Sequence, residues 1–291
     1  MQRLKRKWIL VPVLAVMLWL GFEQAADHAA QEKGNVMQEN AVPAGVPMPL
    51  FYKSLVPFSV ETHGTLRFPE NAPNYRFASE TNLIPLLVNE ASFAQSQYPL
   101  VFIGQTAESP ATLAAVVGAG DGKNRYVDGK GNWLKETYIP AWVRRYPFFT
   151  MQAGEEAEPM LAIDPTTDWL EMKGGEALVD QEGKPTDRLQ RVLTFNREYQ
   201  QMAVKTRELV QALFASEVLE EGVLSIPAAG GKKSGEGLSS REIRGFLVVN
   251  EKKLRELSDD KVAELHRSGA LGVAYAQLMS MQNLGKVFQP K

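Results

Sequence analysis

Hydrophobic and polar positions divide the chain into three stretches of different character. The basic side chains Arg3, Lys5, Arg6 and Lys7 precede an apolar run from Trp8 to Phe22. A basic start followed by such a run is an export or anchoring signal. Residues Glu23 to Pro47 are polar, rich in Ala, Gln, Glu, Gly and Pro, the composition of a flexible tether. From Met48 onward, short apolar runs and helical spacings return, as expected of one packed domain. The expected organisation is therefore an anchor over 1–22, a tether over 23–47 and a domain over 48–291.

Two readings of the apolar run compete. A cleaved signal peptide needs small residues at the third and first positions before the cut. Ala26 is followed two on by His28, and Ala30 is preceded two back by the same His28. An uncleaved anchor is short, because a span takes about 17–25 residues. Trp8 and Trp19 suit the two interfaces, however, and Lys5 to Lys7 can snorkel. The poor cleavage site favours the anchor. With cations before the run and Glu23 and Asp27 after it, the positive-inside rule holds the N-terminus in the cytoplasm and sends the domain across. A third reading starts translation at Met48 and leaves the domain cytoplasmic.

Within the domain, Asn82–Asn89 has strand length, and its Pro85 predicts an edge or bulged strand. Tyr98–Gly104 and Thr112–Gly118 are further strand candidates. Asp121-Gly122 and Asp128-Gly129 are turn signals flanking Arg125–Val127. Apolar residues at 133, 134, 138, 139, 142 and 143 fit a helix over Trp133–Arg145, interrupted by Pro140. Met160–Ile163 and Trp169–Met172 resemble short strands. Leu189, Val192, Tyr199, Met202, Leu209, Leu213 and Phe214 recur at helical spacing, closing on Gly222. Ala228–Arg241 reads as a flexible loop and Ile243–Val249 as a strand. Ser258 can cap a helix to about Arg267, and Ala270–Leu284 resumes helical spacing beyond Gly269. The pattern predicts an α+β fold: a mixed, mainly antiparallel sheet in the first half and helices in the second, preceded by the membrane-anchor helix.

Composition narrows the chemistry. Lys+Arg 32 against Asp+Glu 34 gives a net charge of -2, which lacks the basic excess of a nucleic-acid binder. Cysteine is absent, which removes disulfides, thiolate metal sites and cysteine nucleophiles. His28, His63 and His266 are scattered, so no metal site is expected. Gly118–Gly122 lacks the third glycine of a dinucleotide fingerprint, since position 123 is Lys. Gly230–Ser234 lacks the first glycine of a phosphate loop. Asp128–Asn132 has Lys130 at a ligand position of a calcium loop and Ile139 at the twelfth. No Gly-x-Ser-x-Gly elbow exists. No cofactor is expected. Glu80 and Glu90, and Asp164, Asp168 and Glu171, lie close in sequence, but exposed charge is the expectation for them.

The densest constellation is Trp133, Tyr138, Trp142, Arg144, Arg145, Tyr146 and Phe148. Arginine among aromatics stacks and holds carboxylate or phosphate bidentately, a combination that builds ligand pockets and protein interfaces. A core helix with its arginines turned to solvent or to acidic partners is the plainer alternative.

Several ordered blocks resemble the SapC family: Met48–Pro57, Tyr98-Pro-Leu-Val-Phe102, Tyr126-Val-Asp128, Trp133, Tyr138-Ile-Pro140 and Arg144-Arg-Tyr-Pro-Phe148. Gly245–Leu254, Leu265–Leu271 and Ala276–Ser280 extend the resemblance toward the C-terminus. It implies a bacterial protein associated with a surface layer and its export, and it carries over no catalytic residues. The basic–apolar start departs from the usual family pattern. Together these imply a non-catalytic envelope protein. It would be held in the bacterial inner membrane through Trp8–Phe22, with the domain on the periplasmic side, and would bind a protein partner or surface component. The alternative is a small-ligand binder or accessory enzyme with a pocket around Arg144 and Arg145.

Overall fold

The computed structural model describes residues 9–10, 48–69, 74–104, 111–152, 158–170, 174–227 and 240–288. The expected tether and the loop from Ala228 to Ser239 lie outside them. So does the expected anchor, except Ile9–Leu10, which pair in parallel with Ile243–Arg244. Among the described residues no helix is long and apolar enough to cross a membrane.

The centre is a five-stranded sheet. Its spatial order is Leu219–Glu221, Leu247–Val249, Leu100–Ile103, Thr112–Val116 and Leu83–Leu86, with every pair antiparallel. Pro85 lies on the last of these, an edge strand, where no ladder partner needs its missing N–H. The register sets Leu100 opposite Ala115, Val101 opposite Ala114 and Phe102 opposite Leu113. Leu100, Phe102, Leu113 and Ala115 therefore enter the main core, while Val101, Ile103, Ala114 and Val116 enter a second core on the other face. Burial on both faces explains why these strands read as continuous apolar runs rather than alternating ones.

Helices follow later in the chain, as the α+β pattern requires. The longest is Asp187–Ala215, 29 residues, with Thr186 as its N-cap. It ends at Ala215 rather than Gly222. Glu217 turns the chain at φ 55, and Leu219–Glu221 joins the central sheet. Ile243–Val249 is split into Ser240–Arg244 and Leu247–Val249 at Gly245, whose φ is 92. Asp259–Ser268 and Ala270–Ser280 are separate helices hinged at Gly269.

The helix expected over Trp133–Arg145 is a single turn, Ala141–Arg144. Val127 pairs with Trp133 across the Asp128 turn, and Glu136 adopts φ 60, so Trp133–Ile139 runs as turns and extended chain. The apolar spacing there reflects burial of an irregular segment. Trp169–Leu170 form a bend rather than a strand, and Glu171 and Met172 lie outside the described residues.

A smaller antiparallel sheet orders Val56–Pro57, Met160–Ile163 and Phe148–Met151. A ribbon pairs Arg67–Phe68 with Glu176–Ala177. A third core joins these to the long helix through Phe68, Phe148, Ile163, Leu178 and Leu189. The long helix thus serves two cores, its first turns packing here and its later turns, from Tyr199 to Leu213, in the main core. The candidate site opens where its first turns meet the small sheet and ribbon.

Candidate functional site

Pro140 starts the one-turn helix, a position that tolerates the lost N–H. Successive residues on that turn project about 100° apart. Arg144 and Arg145 consequently diverge. Arg144 is exposed; its Nε donates to the Ile139 carbonyl at 3.0 Å and its Nη2 to the Tyr138 hydroxyl at 3.2 Å. Arg145 turns inward and is 1% exposed.

The Arg145 guanidinium carbon lies 4.2 Å from the Phe149 ring centroid, 4.3 Å from that of Tyr199 and 5.5 Å from that of Trp142. Nη2 donates to Asn196 Oδ1 at 3.2 Å, and Nε and Nη1 have no hydrogen-bond partner among the described residues. No described carboxylate pairs with Arg145. Burying an uncompensated charge costs several kcal/mol. A cation–π contact in a desolvated site returns roughly 2 kcal/mol.

Arg145 lines a cavity of about 360 Å³. Its inner wall is Tyr146, Phe148, Trp169 and Asn196; its mouth carries Arg144, Arg188, Arg191, Tyr75 and Phe195. Arg188, Arg191, Phe195 and Asn196 come from the first turns of the long helix, where spacings of three and four residues align them on one face. Arg188 rests on the Phe68 ring at 4.4 Å and Arg144 on Phe195 at 5.2 Å. Arg191 faces Glu176 at 3.5 Å, an exposed pair. No Asp or Glu lines the cavity among the described residues. Burial raises the Tyr146 phenol above its ordinary pKa, and Asp164 and Asp168 push it the same way.

The structure thus brings together Arg144, Arg145, Tyr146 and Phe148 of the constellation singled out in the sequence. Trp133, Tyr138 and Trp142 lie outside the cavity wall. Trp133 and Trp142 are core side chains, Trp133 stacking on Tyr126 and Trp142 reaching the Leu50 carbonyl. Tyr138 acts behind the site: its hydroxyl donates to Glu90 Oε1 at 2.8 Å while accepting from Arg144. The contributions of Arg188, Arg191, Phe195, Asn196 and Trp169 were not singled out in the sequence. The i, i+3, i+7 stripe of Arg188, Arg191 and Phe195 is the signal that could have found them.

Two carboxylates expected at the surface are buried. Glu90 is 3% exposed and accepts from Leu87 N, Ala141 N and the Tyr138 hydroxyl. Burial lifts its pKa above the ordinary value, against those hydrogen bonds and the charge of Arg144. Asp164 is fully buried and accepts from Lys53 N and from Thr166. Both carboxylates are committed to backbone partners and join distant segments. The other motifs are structural too. Asn82 Oδ1 accepts from Gly120 N and Gly122 N, fixing the glycine run as a turn. Asp128 accepts from Lys130 N, Asn132 N and Asn132 Nδ2, which holds its carboxyl below the usual range. Among the described residues no three His, Asp or Glu side chains gather as a metal site. His63 stacks on Phe58, and His266 belongs to the helix Asp259–Ser268.

No curated protein and no solved structure gives a significant match to the chain. The SapC family model matches residues 58–287, which include both central sheet and cavity. That span is most of the sequence, and the chain belongs to the SapC family.

Proposed function

We propose that this domain is a non-catalytic binding module for a small organic anion, held at the inner membrane by Trp8–Phe22. The observation that carries the ligand reading is Arg145. A buried guanidinium whose Nε and Nη1 have no partner among the described residues borders a cavity ringed by three more arginines. An incoming carboxylate or phosphate supplies the missing acceptor in a water-poor site, where charge-assisted bonds are strong. A protein interface built on the same constellation is less favoured, because Trp133 and Trp142 are core side chains away from the cavity and an interface anchor must reach its partner.

Calorimetric titration of the full-length protein in detergent with benzoate and with phenyl phosphate tests this. The reading expects saturable binding, mutual competition, and loss of binding in Arg145→Met. Absence of binding for both probes at millimolar concentration contradicts it. The membrane component rests on the basic and apolar N-terminal sequence. Fractionation with protease access to spheroplasts tests it: a membrane-bound, protease-accessible domain supports the tether, and a soluble, protected product beginning at Met48 overturns it.

A further inference from the structure

We infer that the cavity selects a planar aromatic monocarboxylate without an ammonium group. This deepens the anion-binding reading of the same pocket and rests on it. Three observations converge.

The first is the balance of donors and acceptors. Charged donors from four arginines line the cavity, and among the described residues no carboxylate does. The Asn196 amide is already committed, its Oδ1 to Arg145 and its Nδ2 to the Val192 carbonyl. Among the described lining residues a ligand ammonium would meet cations and no anion. The amino-acid zwitterion is therefore disfavoured by like-charge repulsion, and the acceptor-rich anion is favoured.

The second is the wall. Trp169 meets Tyr75 at 5.8 Å and Tyr146 at 5.7 Å, both nearly perpendicular. Phe195 lines the cavity from the long helix. A wall of aromatic rings favours a flat π-system, which can add stacking and edge contacts. The volume, about 360 Å³, lies at the small end of ligand sites.

The third is the shape of the charge. The Arg145 guanidinium carbon lies 4.2 Å from the Phe149 ring centroid and 4.3 Å from that of Tyr199. Its N–H donors lie in the guanidinium plane, and Nε and Nη1 have no partner among the described residues. A carboxylate is planar and continues that plane bidentately. A tetrahedral phosphate places oxygens above and below it.

Titration of the full-length protein with 2-naphthoate, acetate, 2-naphthamide, 2-naphthylalanine and 2-naphthyl phosphate tests the inference, with Trp fluorescence and calorimetry as readouts. We expect 2-naphthoate to bind at least about tenfold tighter than each of the others. Phe195→Leu should weaken 2-naphthoate several-fold more than it weakens acetate, and equal losses for the two would contradict the aromatic selectivity. If acetate matches 2-naphthoate, or naphthylalanine or the phosphate binds as tightly, the selectivity is wrong while anion binding stands. If the neutral amide binds as well as the acid, the cavity is an apolar site and both readings fail. If no anion binds, both readings fail.

Discussion

Arg145 Nη2 donates to Asn196 Oδ1 across 3.2 Å, joining the one-turn helix after Pro140 to the long helix. The guanidinium is 1% exposed, and its Nε and Nη1 have no partner among the described residues. A charge so placed burdens the ligand-free fold. Replacing a buried ion by an apolar side chain of similar length is often neutral or stabilising.

Arg145→Met keeps an unbranched, polarisable stem against Phe149 and Tyr199. The ligand-free variant should therefore unfold within about 1 kcal/mol of the parent, or above it, while benzoate binding disappears. Denaturant melts measured beside calorimetry separate the two effects. A loss above about 3 kcal/mol would mark Arg145 as a structural residue whose partner lies elsewhere in the protein.

Glu90 gives stability a pH dependence of known sign. Burial raises its folded pKa above the ordinary 4.5. The folded protein then binds more protons than the unfolded one in the window above 4.5, so stability falls as pH rises through it. The contribution is full below the unfolded value and is lost through the folded one. Glu90→Gln sets an amide NH₂ against Leu87 N–H and should cost about 1–3 kcal/mol. The stability gap between parent and variant should narrow as pH climbs from 4.5. A gap constant with pH would assign the slope to another group.

Much of the scaffold was legible, because local patterning and tertiary burial agree there. Pro85 marked an edge strand, Leu100–Ile103 and Thr112–Val116 read as doubly buried, and the spacing from Leu189 to Phe214 gave the long helix. The apolar period over Trp133–Arg145 misled. Pairing of Val127 with Trp133 and the turn at Glu136 overrode it. The buried carboxylates were invisible because their partners are remote: Lys53 N lies 111 residues from Asp164, and Ala141 N lies 51 from Glu90. Half of the site was seen in Arg144, Arg145, Tyr146 and Phe148. The other half needed the long helix to be laid beside them, although its Arg188, Arg191, Phe195 stripe was present in the sequence.

Gly175 supports the mouth of the cavity. Its φ is +60, and a Cβ there would stand 1.7 Å from the Phe68 carbonyl oxygen. Phe68 carries Arg188 on its ring. Gly122 has a similar φ of +77 with no atom within 4 Å of a built Cβ. Gly122→Ala should cost only the left-handed backbone penalty, about 1–2 kcal/mol. Gly175→Ala should cost clearly more and weaken benzoate binding in the protein that remains folded. Equal losses in the two variants would show that the ribbon yields without effect on the site.

The central claim is that Arg145 receives the anion. Side-chain NMR of ¹⁵N-arginine-labelled protein, with Arg145→Met to assign the Arg145 Nε–H signal, addresses that claim most directly. On titration with 2-naphthoate, the account predicts a saturating shift of this signal and slower exchange of its proton with water, at the concentration where calorimetry reports binding. Saturable binding that leaves the Arg145 Nε–H signal unmoved would contradict it.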